Sequence, residues 1–254
     1  MAEKQVKATV PTIDVVQRAK GFWAKNSKGI IIAGTVVILI TGGYLGYKYL
    51  YKLPKEQKAN DMIFPAEKLF GKMAETGSYS KDSVNIVLNG GTPDSGATML
   101  TGLLKVISNY GSTPAGNRAQ YMAGACYLQI KEFDKAIKYL KEFDGNGANQ
   151  VQSKAYILLG HAYAEQKKSD EAMSYYKKAA AILSDEDATQ KVVALFMAAS
   201  YADYLGKSKD AIDILQDIKN NHMAGLLKKD LTSPEPTVTI DDVDKFLAKL
   251  GVTK

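Results

Sequence analysis

The sequence is poor in the residues that build most enzyme sites. It has one cysteine, Cys126, and two histidines, His161 and His222, in 254 residues. A single cysteine excludes an intramolecular disulfide and a four-thiolate zinc site. It leaves the compartment open, because one cysteine fits a reducing cytoplasm and equally a periplasm in which disulfides are optional.

Catalytic motifs are also missing. The patterns H-E-x-x-H, G-x-S-x-G and Walker A do not occur. The one candidate nucleophile–base pair is Cys126 with His161, and no third group is placed to orient the histidine. A cysteine at such a position typically serves as a small core residue. We therefore predict a protein that is not an enzyme and that binds no cofactor, no metal and no small-molecule substrate.

The positive charge is local. The formal net charge is +6, and residues 1–28 hold six Lys or Arg against Glu3 and Asp14, a net +4 that leaves +2 for the remaining chain. This basic excess lies beside an apolar run, which favours anionic lipid headgroups over nucleic acid. A basic groove with interleaved aromatic residues is not visible, so we predict no nucleic-acid partner.

The apolar run from Gly29 to Tyr47 contains 19 uncharged residues between flanking lysines. As a helix it extends about 28 Å, close to the hydrocarbon thickness of a bilayer. A cleavable signal peptide is the alternative. However, the run is long, its basic leader is long, and its tyrosine-rich end is a poor cleavage site. We predict a single transmembrane signal anchor at 29–51, surrounded by membrane lipid, behind a basic tail at 1–28.

The charges that flank the anchor do not orient it, because four Lys or Arg lie close to each side. Before the anchor, apolar residues recur on one helical face: Val15, Val16, Ala19, Phe22 and Trp23. This pattern predicts a short basic amphipathic helix lying on the membrane surface, with a disordered tail as the alternative. Gly42 and Gly46 form G-x-x-x-G, a spacing at which two membrane helices can pack closely, although glycine is common in such helices.

Beyond residue 52 the chain reads as helices that repeat. Segments 117–143, 153–179 and 192–218 align, each with a small residue in its first helix and another in its second. The first-helix positions are Gly124, Gly160 and Ala199, and the second-helix positions are Ala136, Ala172 and Ala211. This spacing resembles the tetratricopeptide repeat (TPR), a helix–turn–helix of about 34 residues.

We therefore predict an all-α fold, with one N-terminal transmembrane helix followed by a TPR-like α-solenoid of helix pairs. The predicted domain at 52–254 holds a divergent first repeat at 54–112, repeats at 113–145, 149–184 and 186–220, and a terminal helix at 239–250. Within the first repeat, helices at 54–75 and 99–110 flank a long loop at 77–96. The expected helix caps are Thr113, Ser208 and Thr239.

Stacked helix pairs generate a concave surface from their first helices. The TPR register places these partner-binding candidates on that surface: Arg118, Tyr121, Leu128, Lys154, Ile157, His161, Phe196, Asp203 and Tyr204. Tyr121, Ile157 and Phe196 would form an apolar stripe that suits an extended or helical partner segment. The alternative is that the stripe packs against the terminal helix around Phe246 and Leu247.

The order of parts, a basic tail, a signal anchor and then repeats, resembles the YfgM-like family of bacterial inner-membrane proteins, in the version typical of Bacteroidota. The most similar stretches are Gly29–Lys58, Lys105–Phe143 and Ala155–Ala181. The resemblance implies a single-pass protein with a cytoplasmic N-terminus and a periplasmic TPR domain. It also implies an ancillary subunit of the SecYEG translocon that contacts a PpiD-like chaperone and assists protein export or envelope protein folding. An envelope-assembly scaffold and a cytoplasm-facing TPR adaptor with reversed topology remain the alternatives.

Overall fold

The computed structural model describes residues 12–93, 99–223, 226 and 237–252. The chain divides into two compact units, Met1–Lys55 and Glu56–Lys254. Helix α1 spans Thr12–Gly46, a π-helical segment follows at Tyr47–Lys52, and α2 spans Leu53–Thr76. The apolar part of this helical stretch is long enough to cross a bilayer, and none of it is buried. The chain therefore has one N-terminal helix that is a candidate for a membrane span.

Helix α1 corrects one prediction about the N-terminal tail. We expected a short helix before residue 28, separate from the anchor, but α1 continues without a break through this point. Neither proline nor a turn interrupts the segment, and Asn26 donates a hydrogen bond to the Phe22 carbonyl four residues earlier, at 3.0 Å. The π-helical segment was not predicted, and in it the rings of Tyr47 and Tyr51 stack at 5.5 Å.

The segment predicted as a loop at 77–96 contains a helix, α3, at Lys81–Asn89. Its N-cap Ser80 accepts a hydrogen bond from the Ser83 N–H at 3.0 Å, and its apolar face is buried, which together stabilise a short helix. Two short antiparallel strands, β1 at Gly90–Gly91 and β2 at Leu100–Thr101, follow it. Helix α4 consequently begins at Leu103 and not at residue 99 as predicted.

Three helix pairs make up the centre of the second unit. The first helices are α5 at Pro114–Gln129, α7 at Asn149–Glu165 and α9 at Ala188–Tyr204. The second helices are α6 at Phe133–Glu142, α8 at Ser169–Ala181 and α10 at Ser208–Asn221. A 3-10 turn at Asp185–Asp187 precedes α9, and α11 at Ile240–Lys249 ends the described fold. The TPR-like fold class is confirmed.

Small residues let the two helices of each pair approach closely. A Cβ added to Gly124 would lie 2.5 Å from Leu140 Cγ, and one added to Gly160 would lie 2.6 Å from Tyr176 Cε1. The small positions of the second helices are fully buried: Ala136, Ala172 and Ala211. The aligned small residues of the sequence therefore mark the contact line between helices, as predicted.

The turn inside each pair has the same backbone conformation. Lys131, Lys167 and Gly206 adopt left-handed φ values of 62°, 59° and 72°. In the first pair the Glu132 N–H donates to the Tyr127 carbonyl at 2.9 Å, and the other two pairs make the equivalent bond. This is the Schellman arrangement, which satisfies carbonyls at the end of a helix.

Of the three predicted caps, two are observed as side-chain caps. Thr113 accepts from the Gly116 N–H at 3.1 Å, with Pro114 opening α5. Thr239 accepts from the Asp242 N–H at 3.2 Å and completes a capping box. Ser208 was predicted as a cap but is the first residue of α10, because the turn at Gly206 places Lys207 at the N-cap.

The core follows the order of the repeats. Ala59 and Ile63 of α2 share one cluster with Leu103 of α4 and Cys126 of α5. At the other end, Val243 and Leu247 of α11 pack with buried residues of α9 and α10. The predicted terminal helix is therefore observed as a cover for the last pair. The equivalence of residues 54–112 to a first repeat stays a prediction.

Candidate protein-binding groove

An open cleft of about 320 Å³ lies where α5 ends beside α7. It brings together two predicted groove residues, Leu128 and His161. The other residues that line it are Gln129, Lys131, Phe133, Ala164 and Glu165. Apolar and polar groups thus converge in one concavity, which is the composition expected of a site for a peptide side chain.

His161 is held in this cleft by Tyr176. The Tyr176 hydroxyl and His161 Nδ1 are 2.8 Å apart, and the two rings meet edge to face at 5.5 Å. Burial lowers the pKa of His161, with an opposing effect from the Glu165 carboxylate. Burial, together with Tyr201 and Glu165, raises the pKa of Tyr176. Both groups are therefore neutral at pH 7, and His161 offers the cleft a polar but uncharged wall.

Residues of the predicted apolar stripe contribute to packing. Tyr121 is half-buried and its ring lies 5.3 Å from that of Phe143. Ile157 is half-buried against clusters that include Ala179 and Ala198. Each side chain keeps part of its surface exposed, so the stripe is shallow along α5 and α7.

Helix α11 covers the α9 end of the groove. Phe196 meets Phe246 edge to face at 5.6 Å, and Asp203 forms an ion pair with Lys249 at 2.7 Å. Tyr204 lies beyond this contact, 81% exposed. Phe196 therefore packs against the terminal helix, as the second of the two interpretations of the stripe predicted. The predicted stripe is therefore interrupted at its third member.

The opposite end of the groove is also occupied by the chain itself. Arg118 donates to Glu67 Oε1 at 2.7 Å and to Asn60 Oδ1 at 3.0 Å, both on α2. Lys154 is half-buried on α7. The structure thus brings Leu128 and His161 into the open cleft and engages Arg118, Phe196 and Asp203 in contacts with α2 and α11. The role of all nine predicted groove residues in partner binding stays a prediction.

The membrane-helix pair Gly42 and Gly46 lies in the first unit. A Cβ added at either position would meet no heavy atom within 4 Å. Gly46 ends α1 and directly precedes the π-helical segment. Their surface has room for a second helix, and their predicted packing role stays a prediction.

The residues singled out for chemistry do not form a reactive pair. Cys126 is fully buried in the core, and burial raises its pKa to about 12, so little thiolate exists at pH 7. His161 is committed to Tyr176. Across residues 12–93, 99–223, 226 and 237–252, no three His, Cys, Asp or Glu side chains gather in a way that could hold a metal ion.

Five of the seven cleft residues are not among the nine predicted groove residues, and two of these five, Lys131 and Phe133, lie outside the first helices. Lys131 lies in the turn between α5 and α6, and Phe133 is the first residue of α6, whereas the TPR register directs attention to the first helix. The sequence signal for both residues is their closeness to Leu128, which they follow by three and five residues. A turn that ends a helix folds the next residues back toward the end of that helix.

Comparison with known proteins agrees with this geometry. Two tetratricopeptide repeat family models match residues 118–144 and 153–182. The structure is similar to a crystal structure of Podosopora anserina putative kinesin light chain nearly identical TPR-like repeats, with a TM-score of 0.50 and 15% identity over 74% of this chain and 84% of that one. A Q17M form of the same protein aligns with a TM-score of 0.43 and 15% identity over 63% and 76%. No curated protein matches the sequence.

The chain therefore carries TPR-like helical repeats, a fold that is typically a non-catalytic scaffold. The repeats indicate a protein–protein interaction module, with proteins as its partners.

Proposed function

We propose that this protein is a membrane-anchored docking module of the bacterial inner membrane, with its repeats in the periplasm. The observation that carries the proposal is the open cleft between α5 and α7 in a chain that also has one apolar N-terminal helix. The helix would hold the repeats at the membrane, and the cleft would receive a segment of a partner protein.

The cleft suits one anchor side chain of a bound segment. Leu128 and Phe133 supply apolar surface, while the amide of Gln129 and the carboxylate of Glu165 can bond the backbone of an extended peptide. Because His161 is neutral at pH 7, it adds a hydrogen-bonding group without the desolvation cost of a charge.

The resemblance to the YfgM-like family suggests which partners to test. In this proposal the protein is an ancillary subunit of the SecYEG translocon, the Gly42–Gly46 face contacts a translocon membrane helix, and the cleft docks a PpiD-like chaperone. Anchoring both proteins in one membrane raises their effective concentration, so that weak contacts in the cleft suffice.

A photo-crosslinking experiment tests the docking site. A photoreactive phenylalanine analogue at Gln129, which is exposed beside the cleft, is compared with one at Lys138, which is exposed on α6. We expect an adduct with the PpiD-like chaperone from position 129 and not from position 138. Equal adducts from both positions would contradict docking at the cleft, and adducts with other envelope proteins would favour the envelope-assembly scaffold.

Two further measurements test the anchor and its face. A reporter that is active only in the periplasm, fused after Lys254, is expected to be active, and its inactivity would favour the cytoplasm-facing adaptor. The bulky variant Gly46→Leu is expected to reduce recovery of the translocon in a pull-down, with Leu45→Ile as the matched control. Unchanged recovery with Gly46→Leu would count against the helix contact.

A further inference from the structure

One face of α1 carries no charge over almost the whole helix. From Val15 onward its residues recur at alternating intervals of four and three: Val15, Ala19, Phe22, Asn26, Gly29, Ala33, Val36, Ile40 and Gly43. This is the heptad spacing of a left-handed coiled coil, with Ala19, Asn26, Ala33 and Ile40 at the a positions. The residues that flank this seam at the e positions are also uncharged: Val16, Trp23, Ile30, Val37 and Tyr44.

The seam is longer than the proposed membrane span. The uncharged run begins at Gly29, whereas the seam begins at Val15, about 21 Å earlier along the helix. Because α1 is unbroken between these residues, this part of the seam continues in line with the span and does not lie flat on the membrane surface. Val15, Phe22 and Trp23 are each more than half exposed. Hydrocarbon cannot cover apolar residues so far from the span, but a second helix can.

We propose that two copies of this chain pair along the seam as a parallel two-helix coiled coil from Val15 to Gly43, an inference that rests on the proposed membrane anchor. All copies insert with the same orientation, so two α1 helices are necessarily parallel and can lie in register. A soluble partner could not follow the seam into the bilayer. A second copy continues on both sides of the membrane boundary.

Asn26 favours a second copy over an unrelated membrane helix. It is the one strongly polar side chain among the a and d positions from Val15 to Gly43. Besides the N–H that bonds the Phe22 carbonyl, the Asn26 amide has a second N–H donor and an acceptor oxygen, so two Asn26 side chains facing each other across a dimer axis are mutually complementary. A single asparagine at an a position specifies register and the two-stranded state.

Small residues and the π-helical segment set the limits of the pairing. Ala19, Gly29, Ala33 and Gly43 lie on the seam and permit close approach of two backbones. The π-helical segment that begins at Tyr47 changes the number of residues per turn and so ends the regular spacing. Gly42 falls at a c position, off the seam, and Gly46 falls at a g position beyond the last seam residue, Gly43, so a translocon contact there lies outside the dimer contact.

Disulfide trapping in membranes tests the pairing with the full chain. On a Cys126→Ser background, single cysteines replace Ala19 and Ala33 at a positions and Ala24 at an f position, which makes the three substitutions chemically identical. We expect oxidation to give a disulfide dimer from Ala19→Cys and Ala33→Cys, and several-fold less from Ala24→Cys. Equal yields at the three positions, or no dimer at any, would overturn the proposal.

A charge placed in the seam gives a second readout. In the Ala33→Cys chain, Asn26→Lys sets two like charges against each other, whereas Ser27→Lys adds the same charge one residue away at a b position. We expect about a tenfold lower dimer yield from Asn26→Lys and no change from Ser27→Lys. Equal yields in these two variants would overturn the pairing. Carbonate extraction separates the two hypotheses: release of the chain from membranes overturns the anchor, whereas retention without dimer overturns the pairing alone.

Discussion

Replacing Gly160 by alanine should destabilise the repeats, although alanine is the better helix former. The new methyl group would lie 2.6–2.9 Å from three carbons of the Tyr176 ring, which is closer than van der Waals contact allows. That ring cannot move freely, because it packs against Tyr201 at 5.5 Å on one side and is hydrogen-bonded to His161 on the other. The clash is therefore with a fixed group and not with a flexible side-chain end.

The expected magnitude follows from two opposing effects. Overpacking a closely packed interior costs about 1–3 kcal/mol. The change from glycine to alanine in a helix returns about 0.5–1 kcal/mol. Displacing the Tyr176 ring also weakens its bond to His161, a contribution of about 1 kcal/mol. We expect the Gly160→Ala chain to lose about 1–3 kcal/mol of unfolding free energy in total.

The measurement is urea unfolding of the detergent-solubilised chain, followed by circular dichroism at the helical minimum. Gly71→Ala is the matched control, since Gly71 lies within α2 and a Cβ there meets nothing within 4 Å. Helix propensity alone then acts, and this variant should gain about 0.5–1 kcal/mol. If both variants proved equally stabilised, the argument that glycine is required by the Tyr176 contact would be refuted.

Three further predictions concern the turns, the terminal helix and the cleft. Lys131→Gly relieves a left-handed φ of 62° and should raise the free energy of unfolding by about 0.5–1 kcal/mol, which is measured as a higher urea midpoint. Gly206→Ala imposes that strain and should lower both quantities. Thr239→Ala removes the capping box of α11 and should cost about 1 kcal/mol and hasten proteolysis of that helix. Because burial lowers the pKa of His161, its neutral form stabilises the fold above the unfolded pKa of about 6.5, and stability should fall as the pH drops from there toward the lower folded pKa. His161→Gln should flatten that slope in urea unfolding measured from pH 7 to pH 5.

Each of these has an outcome that would contradict it. A lower midpoint for Lys131→Gly would mean that the lysine side chain contributes more than its backbone strain costs. Unchanged protease sensitivity in Thr239→Ala would show that α11 is held by its apolar face alone. An identical pH slope with and without His161 would assign that slope to other groups.

The repeat architecture could be predicted because its signals are local and periodic. Gly124 and Gly160 stand where helices touch, and Thr113 with Pro114 marks a helix start by its own chemistry. Helix α3 was missed for the opposite reason. It is short and glycines surround it, so burial of Val84 and its neighbours against other helices decides its stability.

The candidate site was predictable in register but not in accessibility. The TPR spacing placed Leu128 and His161 on one surface, and the structure brings both into one cleft. The sequence allowed Phe196 either to face a partner or to pack against the terminal helix around Phe246. It could not decide between the two, because that helix lies 50 residues further along the chain. Arg118 illustrates the same limit, since its partner Glu67 is 51 residues away. Contacts at such separations depend on tertiary packing and leave no periodic trace.

The cover that α11 places over α9 has a consequence for the length of any ligand. With Phe196 and Asp203 engaged, α5 and α7 provide the open part of the groove. Packed helices lie roughly 8–10 Å apart, a distance that about three residues of an extended chain can span. A bound segment that places one anchor side chain in the cleft would thus cross both helices within about three residues. Such a groove selects short linear motifs, and point changes within a partner's tail could create or abolish its binding.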